Sequence, residues 1–105
     1  MTYQLIFSAL ADPSRRHLFE QLRSGRRSVG ELARTLPISR PAVSQHVKVL
    51  QRAGLVTVDT AGRRSLVSAR QAGLDSLRDY VDGYWTDVLD AFGAAIHARQ
   101  ETDCD

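Results

Sequence analysis

One fifteen-residue stretch, Ser39 to Ala53, constrains this chain more than any other, because its pattern predicts an amphipathic helix with two unlike faces. Ser39 suits the N-cap position, since its hydroxyl can accept a hydrogen bond from a free backbone N–H of the first turn. Pro41 falls within that first turn, where a missing N–H does no harm. Gly54 follows directly and is expected to close the helix.

The two faces of this predicted helix differ in chemistry. The apolar positions recur at steps of four and three and form one stripe: Val43, Val47 and Leu50. The other side carries Arg40, Ser44, Gln45, His46, Lys48 and Arg52, and the whole stretch lacks a carboxylate. An ordinary solvated helix face usually mixes both charge signs. Cations and hydroxyls suit phosphates, and Arg and Gln suit base edges, so the pattern favours double-stranded DNA as the partner.

The residues just before this stretch complete a helix-turn-helix. Ser28 and Glu31 form a capping-box pattern, which predicts a helix of about nine residues. Pro37 ends that helix, because the residue before a proline is pushed out of the α region. Two short helices joined by so short a link must pack at a steep angle, and the second is basic, as in DNA-binding helix-turn-helix proteins.

Two further helices are predicted nearer the N-terminus. Residues 3–10 form a short apolar helix, and Asp12 with Pro13 marks the start of a second one. That second helix runs to about Ser24, where Gly25 stops it. Its first turn is basic and either touches a phosphate backbone or is solvated: Arg15, Arg16 and His17.

A β-hairpin follows the basic helix. Residues 55–60 are β-branched and partly alternating, residues 61–62 form the turn, and residues 63–69 return as the second strand. Arg63 and Arg64 at the tip make a cationic wing that would follow the adjacent minor groove or its phosphates. The alternative is a hairpin whose tip is merely soluble.

A long amphipathic helix is predicted over residues 71–99. It is longer than so small a body can cover, so its apolar stripe needs a partner. We expect residues 1–10 and 71–99 to be the dimerisation helices of a single domain spanning residues 1–105. The expected dimer-interface residues are Ile6, Leu10, Leu77, Val81, Tyr84, Trp85, Val88 and Phe92. The alternative is a helix that folds back on its own core.

The charge distribution also distinguishes a DNA-contacting part of the chain from the long helix. Residues 1–70 hold twelve Arg and Lys against four Asp and Glu, whereas residues 71–105 hold two against eight. A basic body suggests contact with a polyanion, and the acidic segment should face away from it. No apolar run approaches the ~20 residues of a membrane span, and the N-terminus does not read as a secretory signal. We therefore expect a cytoplasmic protein.

Four segments of the chain together resemble the ArsR/SmtB family of bacterial transcriptional regulators. They are residues 9–16, 28–33, 38–50 and 53–56, followed by Gly62-Arg63-Arg64. The resemblance implies a mainly α winged helix-turn-helix dimer with four helices, a two-stranded wing and a fifth helix. It implies a repressor that releases DNA when an effector binds. Carried over by position, the DNA-binding residues are Ser39, Arg40, Ser44, Gln45, His46, Lys48, Arg63 and Arg64.

The chain departs from the metal-sensing members it resembles. Ala33 and Thr35 stand about where those members carry cysteines, and neither can ligate a metal. The last predicted helix offers only His97 and no His-x-x-His pair, while Zn²⁺ wants about four well-placed ligands. We interpret His97 near Glu101, Asp103 and Cys104 as coincidence. The resemblance is thus to a metal-independent branch, with no metal, no cofactor and an unidentified effector.

The sequence predicts a homodimeric, sequence-specific repressor that binds an inverted repeat. One rival hypothesis is a protein-interaction module that kept the fold without the DNA function. Another is a regulator gated by a small molecule bound between the long helices near Tyr84 and Trp85. An enzyme is disfavoured, because no Ser/His/Asp set, Gly-rich phosphate loop or metal cluster is present.

Overall fold

The computed structural model describes the backbone of residues 2–103 and the side chains of residues 3–93. In chain order the elements are α1 (Thr2–Ala11), α2 (Pro13–Gln21), a 3₁₀ turn (Leu22–Ser24), β1 (Arg27–Ser28), α3 (Val29–Thr35), α4 (Arg40–Arg52), β2 (Val56–Ala61), β3 (Arg64–Ala69) and α5 (Gln71–Asp103). This is the predicted mainly α winged helix-turn-helix, with one short strand that was not predicted.

Local capping chemistry sets where the helices begin. Asp12 Oδ1 accepts hydrogen bonds from the N–H groups of Ser14 and Arg15 at 2.8 and 3.1 Å and so caps α2. Ser28 and Glu31 form the predicted capping box of α3, with both reciprocal bonds present. Helix α3 is seven residues long rather than about nine, and it ends as Leu36 becomes extended ahead of Pro37.

The core lies between α1, α2, α3, α4 and the root of the hairpin. Its fully buried large side chains are Ile6, Leu18, Leu32, Leu50, Leu55, Val43, Val56 and Val67. The apolar stripe predicted for α4 belongs to this core, since Val43 and Leu50 are fully buried and Val47 is only 4% exposed. Because this stripe faces inward, the opposite side of α4 is left to solvent.

The sheet has three antiparallel strands in the order β1-β3-β2. The hairpin turn consists of Gly62 and Arg63, because Ala61 still pairs with Arg64. Gly62 has φ of 63°, which suits the first position of the II′ turn that two-residue hairpins favour. The turn therefore lies one residue later than predicted. The unpredicted strand β1 adds only Arg27 and Ser28, which pair with Val67 and Leu66.

The end of α4 and the start of α5 meet in a close backbone contact. Gly54 has φ of 78°, and the Leu55 N–H donates to Leu50 O at 3.0 Å, which completes a glycine-terminated helix end. A Cβ atom at Gly73 would lie 2.8 Å from the carbonyl carbon of Gly54 and 3.1 Å from Leu55 Cα. Only glycine fits at position 73, so α5 is held directly against the end of α4.

Helix α5 begins on the body of the domain and then leaves it. Tyr80 packs between Tyr3 and Phe7 of α1, with ring centroids 5.1 and 5.0 Å apart. Beyond Tyr80 the helix projects, and the chain measures 73 Å along its longest axis. The radius of gyration is 19.6 Å, against about 13 Å for a compact domain of this length.

The residues expected at a dimer interface separate into three groups by burial. Ile6 is 1% exposed and belongs to the core of its own protomer, which corrects its assignment to an interface. Leu10 and Leu77 are half-buried against the same core. The other expected residues are exposed: Val81, Tyr84, Trp85, Val88 and Phe92. Further large apolar side chains are exposed beside them: Tyr3, Leu5, Phe7, Leu74, Tyr80 and Leu89.

Candidate nucleic-acid interface

Helix α4 is fixed at both ends by its own sequence. Ser39 Oγ accepts a hydrogen bond from the Ala42 N–H at 3.3 Å, as predicted for the N-cap. Pro41 lies in the first turn, where its missing N–H is not needed. At the other end, Leu50 and Leu55 are both fully buried beside the Gly54 turn, the apolar contact that accompanies such helix ends. The helix is therefore a rigid platform for its outer face.

The outer face of α4 presents exposed polar and basic side chains. Gln45, Lys48 and Arg52 are all exposed on the side opposite the buried stripe. Arg40 is exposed in the first turn, one turn before Val43, and its guanidinium lies toward Gly30 of α3. No carboxylate lies between Arg40 and Arg52. Arg52 belongs to this face although we did not predict it as a DNA-binding residue. Arg52 lies four residues after Lys48, and this spacing places both cations on the same side of the helix.

Two of the expected DNA-binding residues lie at the edges of this face rather than at its centre. Ser44 is half-buried and lines a cleft of about 170 Å³ between α4 and the hairpin. His46 is half-buried on the other side, close enough to the Asp12 carboxylate to lower its pKa slightly. Ser44 thus faces the wing, and His46 faces the start of α2.

The hairpin brings two arginines to one end, but with different contacts. Arg63 lies in the turn and is exposed. Arg64 is the first residue of β3, and its Nη2 donates to Glu31 Oε1 at 2.9 Å. The structure therefore places Arg63 at the tip and ties Arg64 back to the first turn of α3.

Two arginines that were candidates for phosphate contact have partners within the protein. Arg15 Nε donates to the carbonyl of Ala9 at 2.8 Å, and Arg16 Nη1 donates to that of Leu10 at 3.2 Å. These carbonyls belong to the last turn of α1, where cations are favoured by the helix dipole. Arg15 and Arg16 thus stabilise the end of α1.

Two carboxylates close to this region, Asp12 and Glu31, are engaged in capping. Hydrogen bonding to the backbone of Arg15 is the main cause that lowers the pKa of Asp12. Hydrogen bonds from Ser28, and then the nearby guanidinium of Arg64, lower the pKa of Glu31. Both acids are therefore ionised at neutral pH but hold helix starts in place.

The residues that could bind a metal are not grouped within the described side chains. Within residues 3–93, no three His, Cys, Asp or Glu side chains are grouped so that they could hold a metal ion. The Thr35 hydroxyl donates to the Leu32 carbonyl at 3.2 Å within α3. His97 and Cys104 lie outside the described side chains. No helix in the described part of the chain is long and apolar enough to cross a membrane.

Comparison with known proteins agrees with this geometry. A family model described as a helix-turn-helix domain matches residues 10–59, which include α2, α3 and α4. The HTH-type transcriptional regulator Rv2034 of Mycobacterium tuberculosis is 48% identical over 93 residues, which cover 89% of this chain and 87% of that protein.

Solved structures show the same fold. A crystal structure of a possible transcriptional regulator for arsenical resistance is 42% identical and has a TM-score of 0.70, over 84% of this chain and 92% of that one. The homodimeric winged helix-turn-helix domain of Mb0332 from Mycobacterium bovis is 21% identical with a TM-score of 0.67, over 82% and 80% of the two chains. The chain belongs to the ArsR/SmtB family of helix-turn-helix transcriptional regulators, which are DNA-binding proteins and not enzymes.

Proposed function

We propose that this chain is a transcriptional repressor that binds an inverted-repeat operator in double-stranded DNA as a homodimer. Two copies of α4, related by a two-fold axis, would enter successive major grooves about 34 Å apart. The activity would take place in the cytoplasm, where bacterial DNA lies.

The observation that carries this proposal is the outer face of α4. Its exposed side chains combine cations with an amide and include no carboxylate, on a helix capped at both ends. A groove lined by phosphates favours this combination, because cations neutralise the backbone while an amide or guanidinium can pair with base edges. The helix thus offers both backbone attachment and sequence discrimination.

The side chains divide into two proposed roles. Gln45 is exposed on the outer face and Arg40 is exposed in the first turn of α4. Both are our candidates for reading bases, where a bidentate contact contributes about 1–3 kcal/mol of discrimination. The proposed phosphate contacts are Ser39, Ser44, Lys48 and Arg63. His46, at the edge facing α2, would contact the backbone beside the groove.

The proposed dimer rests on the apolar side chains that one copy leaves in water. Trp85 and Phe92 are 57% and 64% exposed on the projecting part of α5, and Tyr84 is 62% exposed. A monomeric protein rarely exposes so continuous an apolar surface. The homodimeric fold relative from Mycobacterium bovis supports this arrangement. We further propose that the protein acts without a metal, since neither Ala33 nor Thr35 offers a metal-binding donor.

Selection of bound duplexes from a random pool tests the proposed function. The purified protein should recover a palindromic sequence whose half-sites are about one helical turn apart. Recovery of an asymmetric site would contradict the symmetric dimer. Recovery of no duplex, even in dilute buffer, would contradict DNA binding altogether and favour a protein-interaction module.

Two substitutions separate base reading from phosphate contact. Gln45→Ala should reduce the preference for the selected duplex over a scrambled one by about ten-fold or more, because a base contact is lost. Arg63→Ala should weaken both duplexes alike, because phosphates carry no sequence. Gln71→Ala and Arg78→Ala are matched controls on α5, away from the proposed groove. Mobility-shift titrations showing the reverse pattern would refute these roles.

A further inference from the structure

Arg64 has contacts that differ from those of a free wing cation. Its Nη2 donates to Glu31 Oε1 at 2.9 Å, which joins residues 33 positions apart in the chain. The side chains of Arg64 and Glu31 are 62% and 33% exposed, so the arginine is open to solvent and the acid is about two-thirds covered. Among the described residues, the neighbouring Arg63 has no ion pair.

The acid that holds Arg64 is itself fixed. Glu31 Oε1 accepts the Ser28 N–H at 3.2 Å, and Ser28 Oγ accepts the Glu31 N–H at 3.1 Å. Ser28 also pairs with Leu66 on β3, the strand that begins at Arg64. A closed ring of contacts therefore connects Arg64, Glu31, Ser28 and Leu66.

This ring attaches the wing to the helix-turn-helix. A two-stranded hairpin is marginal on its own and needs support from neighbouring elements. The pairing of β1 with β3 supports the hairpin only at Leu66 and Val67. Arg64 extends that support two residues closer to the tip. Because α3 packs against α4, this contact links the position of the hairpin tip to that of α4.

The same contact makes Arg64 a poor ligand for a phosphate. A phosphate would have to replace a carboxylate that already accepts a charge-assisted hydrogen bond. The exchange would also leave the Glu31 carboxylate unpaired beside a polyanion, where like charges repel. Arg63 is under no such restraint.

We propose that Arg64 is a positioning residue that acts through Glu31 to hold the wing, and that Arg63 supplies the phosphate contact of the wing. The inference rests on the proposed DNA-binding function and deepens it, since the two adjacent arginines receive different tasks.

The test uses Arg63→Gln, Arg64→Gln, Glu31→Gln and the double variant Glu31→Gln with Arg64→Gln. Glutamine at position 31 still serves a capping box, so this variant removes the charge and keeps the helix start. Fluorescence anisotropy at several salt concentrations gives the affinity and its salt dependence. The probe is a labelled mixed-sequence duplex of about 30 base pairs, enough for two half-sites one turn apart.

The expected results differ between the two arginines. Arg63→Gln should lower the slope of log affinity against log salt by about 1.8, because the dimer loses one phosphate contact, worth about 0.9, in each of its two copies. Arg64→Gln and Glu31→Gln should each weaken binding about two- to five-fold with the slope unchanged, as suits an exposed ion pair. The double variant should be no weaker than either single one, because both remove the same contact.

Two outcomes would overturn the proposal. A slope lowered by about 1.8 in Arg64→Gln would make Arg64 a phosphate ligand in both copies. Tighter binding by Glu31→Gln would mean that the acid restrains Arg64 from DNA rather than orienting the wing.

A measurement without DNA separates this inference from the proposed function. Amide hydrogen exchange should accelerate about two- to five-fold at residues 60–65 in both Arg64→Gln and Glu31→Gln, and not in Arg63→Gln. Unchanged exchange in Arg64→Gln would refute the positioning role. If the wild-type protein binds no duplex, the proposed function fails, while the exchange rates still decide whether Arg64 positions the wing.

Discussion

At the scale of single residues, Glu31 connects more of the molecule than its place in a short helix suggests. One carboxylate oxygen accepts a backbone N–H from Ser28 and a guanidinium N–H from Arg64. The first bond starts α3, and the second holds the hairpin. Protonation of this one group should therefore weaken both bonds.

Stability should depend on pH through Glu31 in a defined direction. Hydrogen bonds from Ser28, followed by the charge of Arg64, lower the pKa of Glu31 below its ordinary value of 4.5. The carboxylate therefore stabilises the folded state fully above that value. This contribution is lost as the pH falls through the lowered pKa, when the unfolded chain has already taken up its proton.

Chemical denaturation of the wild type and Glu31→Gln at equal protein concentration measures this effect. The difference in free energy of unfolding should be largest at neutral pH and should shrink as the pH falls from about 5 to about 3. A difference that stays constant over that range would show that the charge of Glu31 does not contribute.

The contacts of single residues could be predicted from the sequence only where the two partners are close together in the chain. The capping box of Ser28 and Glu31 was predictable, because both residues lie within one turn and the pattern itself is the mechanism. The bond from Arg64 to Glu31 was not, because it depends on how β1 pairs with β3. Ile6 was misplaced for a similar reason: its spacing marks it as apolar but does not say which surface covers it.

At the scale of elements, the contact between Gly54 and Gly73 decides how α5 meets the rest of the domain. The Arg70 N–H donates to Leu55 O at 2.8 Å, so the chain enters α5 already bonded to the end of α4. Three residues later, Gly73 brings the two backbones into direct contact. This joint leaves no space for a side chain.

Alanine substitutions at two glycines of α5 should have opposite effects. Gly73→Ala should destabilise the fold by about 1–3 kcal/mol, because a methyl group would be forced into the backbone of Gly54. Gly83→Ala is the matched control, since nothing lies within 4 Å of its Cβ position. Alanine there should stabilise the helix by about 0.5–1 kcal/mol.

Thermal and denaturant unfolding of both variants check this prediction. Helix propensity alone would make the two variants equally stabilising, so a stabilised Gly73→Ala protein would mean that the joint is loose.

Elements were predictable where their signals are local. The helix starts at Pro13, Val29 and Arg40 follow from caps and prolines, and the structure confirms them. The strand β1 was missed, because two residues carry no periodicity and become a strand only by pairing with β3. The turn was placed one residue early, because Gly62 fits either central position of a hairpin turn when only its identity is known.

At the scale of the whole molecule, charge and apolar surface occupy different ends. The basic residues concentrate in residues 1–70, and the exposed apolar side chains concentrate on α1 and α5. The five aspartates of α5 up to residue 90 share that helix with the apolar stripe. In the proposed complex, such a distribution would keep the acidic segment away from the duplex.

Two neighbouring positions on α5 test the proposed dimer. Trp85→Asp should weaken self-association by about 100-fold or more, because a charge replaces a large apolar side chain contributed by each copy. Thr86→Asp is the matched control: residue 86 points about 100° away around the helix, toward the side that carries Asp82.

Sedimentation equilibrium measures the dissociation constants of both variants. Equal effects at positions 85 and 86 would argue against an interface on the apolar stripe. A wild-type protein that stays monomeric at micromolar concentration would argue against the dimer itself.

The joint between Gly54 and Gly73 has a consequence for DNA binding by the proposed dimer. A contact too tight for one methyl group should hold α4 in a fixed orientation relative to α5. In the proposed dimer, the two copies of α4 would then be unable to move independently of the two copies of α5 that pair. The distance between the two α4 helices would then be fixed by the fold. Adding one base pair between the half-sites lengthens the operator by about 3.4 Å. Because the separation of the two α4 helices would not change, the DNA would have to bend or twist to reach both of them.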